Sequence, residues 1–166
     1  PEFASIHPFA PLDQARGYHE LMDELRSDLA EITGLADVSL QPNSGAAGEY
    51  SGLMVIRAWH KNRGEGHRKV AIVPSSAHGT NPASTAMAGF DAVEIKSDER
   101  GNVDLGDLRA QCGSNVAGMM LTNPNTLGLF DENVTEVCRL VHACGGLMYG
   151  DGANMNALLG IVKPGE

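Results

Sequence analysis

Val116-Ala117-Gly118-Met119-Met120-Leu121 runs into Thr122-Asn123-Pro124-Asn125-Thr126-Leu127, and farther along comes Leu147-Met148-Tyr149-Gly150-Asp151. The first and last of these segments read as strands and the middle one as a turn. Between them, Asp131 is placed to cap a helix that carries Val134, Val137, Val141 and Cys144 along one side, and Gly145-Gly146 stops it. Strand, turn, helix and strand, with no hairpin turn among them, make a crossover unit, and a crossover pairs its strands in parallel.

The same alternation continues toward the N-terminus. Lys69 to Val73 is an apolar, β-branched run bounded by Pro74. A short Ala-rich helix is expected after Asn81, with Pro82 as its first residue and Gly89 beyond its end. Ala92 to Ile95 is the next strand, and Asp104 with Asp107 opens another helix with acids in the turn that the helix dipole favours. Upstream, Val38-Ser39-Leu40 is a strand candidate leading into Asn43-Ser44-Gly45-Ala46-Ala47-Gly48, after which Glu49 to His60 reads as a helix. Before that, Asp13 is a candidate N-cap for a helix whose apolar face is Ala15, Tyr18, Leu21, Met22, Leu25, Leu29 and Ile32, ended by Gly34. Four or five strands alternating with helices predict an α/β fold of three layers, a mainly parallel sheet flanked by helices. The expected division is an arm and long helix over residues 1–36 and an incomplete α/β domain over residues 37–166.

The bulk properties narrow the function classes. A chain of 166 residues with 42% apolar and 20% charged residues has enough apolar area for a folded core, so global disorder is excluded. Twelve Lys and Arg against 21 Asp and Glu give a net charge of -9, which repels phosphate backbones and anionic lipid and argues against a nucleic-acid or membrane partner. No apolar run approaches the ~20 residues needed to cross a bilayer. The expected location is cytoplasmic in a bacterium, or the mitochondrial matrix in a eukaryote. Cys112, Cys138 and Cys144 show no Cys-x-x-Cys spacing and read as reduced, packed thiols. His142 and Cys138 offer only two ligands on one helix, so no metal site is expected.

Ligands of open parallel sheets bind at the carboxyl ends of strands, and three turns there are unusual. Ser44-Gly45-Ala46-Ala47-Gly48 opens a helix with small side chains and free N–H groups, either a cradle for a phosphate or an ordinary capped helix start. It is not a P-loop, because no Gly-Lys-Ser/Thr follows. Pro74-Ser75-Ser76-Ala77-His78-Gly79-Thr80-Asn81-Pro82 puts His78 between a strand end and a helix start, where an imidazole is either solvated or free to stack on a flat ring or move a proton. Thr122-Asn123-Pro124 is followed by Asp151 at the end of an apolar strand, where a carboxylate needs a cation to offset burial, and a pyridinium nitrogen would serve.

A phosphate cradle, a ring-stacking imidazole, an Asn-Pro turn and a strand-end Asp together resemble the cofactor site of fold type I pyridoxal phosphate enzymes. Phe3-Ala4-Ser5-Ile6-His7-Pro8-Phe9-Ala10-Pro11, Gln41-Pro42-Asn43-Ser44-Gly45-Ala46-Ala47-Gly48-Glu49-Tyr50, Ser75-Ser76-Ala77-His78-Gly79-Thr80-Asn81-Pro82-Ala83-Ser84 and Asp151-Gly152-Ala153-Asn154-Met155-Asn156-Ala157 resemble, within that group, the glycine decarboxylases, the P-proteins of the glycine cleavage system. The resemblance implies pyridoxal 5'-phosphate as cofactor, glycine as substrate, and transfer of the aminomethyl group to the lipoyl arm of the H-protein. It also implies a homo-oligomer or a second P-protein subunit as partner. By the family pattern Ser44, Gly45 and Ala46 bind the phosphate, His78 stacks on the ring, Thr122 or Asn123 lies near the phenolic oxygen, and Asp151 keeps the ring nitrogen protonated. His78 and Asp151 are therefore the expected catalytic residues.

One departure matters. The family's covalent lysine lies in a His-Lys pair beyond the strand-end Asp, whereas the lysine that follows Asp151 here, Lys163, stands directly before Pro164. The expectation is a piece of a longer enzyme, without the covalent lysine and inactive alone. Another fold type I enzyme, or a non-catalytic α/β interaction domain, are the alternatives.

Overall fold

The computed structural model describes residues 3–166, so residues 1 and 2, at the head of the expected N-terminal arm, lie outside it. The chain forms two compact units, residues 42–158 and residues 3–41 with 159–166.

The larger unit carries four parallel strands, β1 (Val70–Pro74), β2 (Asp91–Ile95), β3 (Val116–Thr122) and β4 (Leu147–Asp151), in the order β2-β1-β3-β4. Helices α2 (Gly45–Asn62) and α3 (Thr80–Met87) cover one face, while α4 (Leu105–Gln111) and α5 (Val134–Ala143) cover the other. The three-layer α/β expectation therefore holds, as do the four strands called between Lys69 and Asp151. Side chains alternate between the faces: Ala71, Ala117 and Met120 meet Leu53 and Ile56 of α2, while Ile72, Met119 and Leu121 meet Leu108, Val137 and Val141. Every residue of β3 is buried, because the strand is paired on both edges and covered on both faces.

β3 carries one irregularity. Val70 lies opposite Val116 and Ala71 opposite Gly118, so Ala117 is an extra residue, a bulge. A bulge leaves backbone groups off the ladder, and here side chains take them. His60, at the end of α2 and 1% exposed, donates from Nε2 to the Ala117 carbonyl at 2.7 Å. Arg68 donates from Nη1 to the Val116 carbonyl at 2.7 Å and to that of Cys144 at 3.0 Å. Glu65 stands 3.2 Å from His60 Nδ1 and 3.6 Å from Arg68 Nε, and the His60 hydrogen bond holds its carboxyl below the usual range. The C-terminus of α2 is thereby fixed at the start of β3, which sets the N-terminus of α2 at the strand's carboxyl end.

Four local expectations change. Val38-Ser39-Leu40 joins no strand among the described residues, because its backbone is taken by side chains: Arg26 Nε donates to the Val38 carbonyl at 2.8 Å, and Val38 N–H donates to Asp37 Oδ1 at 2.7 Å. Pro82 is the third residue of α3, which begins at Thr80. Asp131 does not cap α5, whose N-cap position is Asn133; its carboxylate accepts from Val103 N–H at 2.7 Å and Asn133 N–H at 2.8 Å. The smaller unit holds α1 (Arg16–Thr33), closed by left-handed Gly34 as expected, although Asp13 lies in a 3₁₀ turn before it and Ala15 is the N-cap. Within that unit Lys163 Nζ pairs with Glu31 at 2.7 Å.

His60→Leu is expected to lower the stability of the chain by about 1–3 kcal/mol, the cost of a buried carbonyl left without its donor, while His60→Gln, which can still donate, loses less. Urea unfolding at neutral pH reads the difference, and a Leu variant as stable as wild type would show that the bulge needs no such cap.

Candidate functional site

Below the carboxyl ends of β3 and β4 lies a cavity of about 690 Å³ lined by Gly45, Ala46, Gly48, Glu49, His78, Thr80, Thr122, Thr126, Tyr149 and Asp151, with Gly152 to Asn154 closing one side. The strand order reverses between β1 and β3, so the cavity sits at the switch point where open α/β sheets take ligands.

α2 supplies one wall. Ser44 is its N-cap and accepts from Ala47 N–H at 3.1 Å, so the N–H groups left without an intrahelical partner at this end are those of Gly45 and Ala46. Both residues line the cavity and Ser44 does not, so Ser44 holds the cradle in shape rather than facing the space. Gly52 is required for another reason: a Cβ there would come within 2.5 Å of the Tyr149 ring, which packs against this stretch of the helix.

The loop after β1 brings His78, exposed to the cavity, and the first turn of α3. His78 Nδ1 is 2.9 Å from Thr80 Oγ1, and Thr80 Oγ1 donates to Glu49 Oε1 at 2.7 Å. Glu49 is 5% exposed and its Oε2 has no partner. The next residue, Asn81, is buried and donates from Nδ2 to Asp151 Oδ2 at 3.0 Å.

The strand ends supply the rest. Thr122 and Asp151 face each other in register across β3 and β4. Thr122 is 6% exposed and its Oγ1 is buried without a partner at the cavity wall. Asp151 accepts from Ala153 N–H at 3.0 Å through Oδ1 and so starts the 3₁₀ turn Gly152–Ala157. Asn123 does not line the cavity; its Oδ1 accepts from Asp131 N–H at 2.9 Å and closes the loop behind it. Thr126 Oγ1 donates to the Ser76 carbonyl at 2.7 Å, tying the loops after β1 and β3 together. Of the residues singled out in the sequence, Gly45, Ala46, His78, Thr122 and Asp151 are thus brought together, while Ser44 and Asn123 stand one step outside.

Glu49, Thr80, Asn81 and Tyr149 were not singled out. The signal for Glu49 was a carboxylate in an otherwise small and apolar helix opening; Asn81 and Tyr149 gave none, because a strand tyrosine and an Asn before Pro are ordinary. Tyr149 is half-buried, and that burial, with the charges of Asp151 and Glu49, pushes its phenol up to about 12. Two carboxylates and no lysine or arginine line the cavity, and its positive feature is the N-terminus of α2. The arrangement suits a ligand with an anionic end at Gly45 and Ala46 and a protonated nitrogen facing Asp151. The unpartnered Thr122 Oγ1 has a hydroxyl to give or accept.

No family model matches the chain. Over its whole length the chain is 59% identical to a glycine dehydrogenase (decarboxylating) of Bordetella avium and 56% identical to one of Rhodopseudomonas palustris. Over 99% of its length it is 55% identical to one of Deinococcus radiodurans. The chain spans 18% of the length of each of these relatives. Among solved structures it is similar to an inhibitor-bound glycine decarboxylase (P-protein) of the glycine cleavage system, with a TM-score of 0.72 and 20% identity over 89% of this chain and 32% of that one. It is also similar to a sphingosine-1-phosphate lyase of Burkholderia pseudomallei, with a TM-score of 0.70 and 18% identity over 84% of this chain and 34% of that one. These structures share its α/β fold.

The Tyr149 phenol should respond to its neighbour. Asp151→Asn removes one of the two charges that raise it, so its ionisation should move down from about 12 toward the ordinary 10 without reaching it, because burial remains the largest cause. In the wild type the folded chain keeps this proton where the unfolded chain loses it, so the stability it confers is whole below pH 10 and falls as pH rises toward 12. Ring-carbon NMR titration of labelled tyrosine reads both, and an unmoved Tyr149 in the variant would place Asp151 elsewhere.

Proposed function

We propose that this chain is the cofactor-binding part of a glycine decarboxylase, holding pyridoxal 5'-phosphate in the cavity at the ends of β3 and β4. The observation that carries the reading is the convergence of free N–H groups at Gly45 and Ala46, an imidazole at His78, an unpartnered hydroxyl at Thr122 and the strand-end carboxylate of Asp151 in one space without a cation. The identity of 55–59% with glycine dehydrogenases (decarboxylating) supports the same assignment.

Pyridoxal phosphate, when bound, supplies a protonated ring that withdraws the negative charge left when glycine loses carbon dioxide. The residues of the chain do the rest. Gly45 and Ala46 donate to the phosphate, helped by the dipole of α2, and Ser44 keeps that first turn in shape. His78 covers the ring. Thr122 would stand at the phenolic-oxygen side of the ring, a place that Asn123 does not reach because its side chain is spent on Asp131. Asp151 holds the proton on the ring nitrogen, and Asn81 holds Asp151 in turn. Tyr149, held protonated by its surroundings, keeps an O–H donor beside both carboxylates. Release of the aminomethyl group to the lipoyl arm of an H-protein, and pairing with another copy or another P-protein subunit, follow from the family assignment.

Because no lysine lines the cavity, pyridoxal phosphate should bind this chain non-covalently. Asp151→Ala should weaken binding about tenfold, equivalent to about 1.4 kcal/mol, while inorganic phosphate, which has no ring nitrogen, should bind wild type and variant alike. Fluorescence titration measures both ligands. Equal pyridoxal phosphate affinity in the two proteins, or a borohydride-stable adduct on one lysine of the wild type, would overturn the assignment.

A further inference from the structure

Three side chains from separate segments form a continuous chain of short contacts beside the cavity. His78 Nδ1 lies 2.9 Å from Thr80 Oγ1, and Thr80 Oγ1 lies 2.7 Å from Glu49 Oε1. His78 is exposed and belongs to a loop, Thr80 opens α3, and Glu49 is buried in α2. Burying a carboxylate at 5% exposure, with one oxygen unpartnered, costs stability that a merely structural contact does not require.

The positions of the protons follow from counting. A carboxylate has none to give, so the Oγ1–Oε1 contact is bridged by the hydroxyl proton of Thr80. That proton spent, the hydroxyl oxygen offers His78 only a lone pair, and a contact of 2.9 Å requires the proton on Nδ1. The competing arrangement has Thr80 N–H donating to an Nδ1 lone pair at the longer distance of 3.2 Å. It would set two lone pairs against each other at 2.9 Å, whereas the first arrangement sets Thr80 N–H toward Nδ1–H at 3.2 Å; the shorter contact takes the hydrogen bond, and Thr80 N–H, at the first position of a helix, has no intrahelical partner to lose.

We propose that Glu49 and Thr80 are positioning residues that fix the orientation and proton of His78: the relay runs from Nδ1–H of His78 to Thr80 Oγ1 and from Thr80 O–H to Glu49 Oε1. The imidazole is thereby held by a buried carboxylate through a hydroxyl, with Nε2 left to carry the lone pair. Its consequence for the cofactor rests on the reading above, because a ring that must lie flat over another ring needs its own plane fixed from one edge. The relay itself is a property of the chain without any ligand.

Imidazole nitrogen NMR of isotope-labelled histidine in the chain without cofactor tests it, with the His78 signals among the six histidines identified by their loss in His78→Asn. The wild type should show a proton on Nδ1 and a lone pair on Nε2. Glu49→Gln, nearly the same shape, can give an amide proton to Thr80 Oγ1 and reverse the direction, so the proton should move to Nε2. Thr80→Val should abolish the Nδ1–H preference, and Thr80→Ser should restore it. A wild type with its proton on Nε2, or a tautomer that is the same in wild type, Glu49→Gln and Thr80→Val, would overturn the relay. Pyridoxal phosphate titration of the same samples separates the two ideas: absent cofactor binding with an intact tautomer switch sinks the cofactor reading alone.

Discussion

β3 is the constraint on which the rest of this structure depends. It is buried along its whole length and paired on both sides, so its register cannot slip without moving side chains from one face of the core to the other. That register sets Thr122 opposite Asp151. The bulge at Ala117 would threaten it, and His60 and Arg68 take the carbonyls that the ladder leaves. The same His60 contact orients α2 so that Gly45 and Ala46 arrive where β3 ends.

The electrostatics of the cavity follow from the same geometry. Parallel strands bring their carboxyl ends together, and the helix that packs antiparallel to them brings its positive end there. Glu49 and Asp151 add two carboxylates, each held by a side chain from the first turn of α3: Thr80 on one, Asn81 on the other. Two adjacent residues of a short helix therefore hold both acids that line the space. The positive helix end and the two acids together suit a ligand that carries both signs of charge.

The division of roles within the motif residues is equally physical. Ser44 and Asn123 stand in the same runs of sequence as Gly45 and Thr122, yet each turns its oxygen to a nearby backbone N–H, Ala47 for Ser44 and Asp131 for Asn123. Short polar side chains in turns satisfy the local backbone first, and a neighbour with no such outlet is left to the ligand. Thr122, inside a strand whose backbone is already paired, is in that position.

The sequence by itself determined the alternation of strands and helices from Lys69 to Asp151, because apolar periodicity and the placing of Gly and Pro are local signals. It also determined that the turns holding His78 and Asp151 would share the carboxyl side of a parallel sheet, since crossover connections leave no other arrangement, whereas Gly45, with no strand before it, reaches that side because His60 and Arg68 anchor the far end of α2. Tertiary structure decided what no window of sequence contains. Val38 to Leu40 has strand-like residues, yet Arg26, 12 residues upstream on α1, takes the Val38 carbonyl. Asn81, Tyr149 and the relay through Glu49 became parts of the site only through contacts with residues 31 to 97 positions away: Thr80 with Glu49, Asn81 with Asp151 and Tyr149 with Gly52. A side chain's chemistry is written in its type, but its partner is fixed by packing, and here packing chose the carboxylates that hold the site.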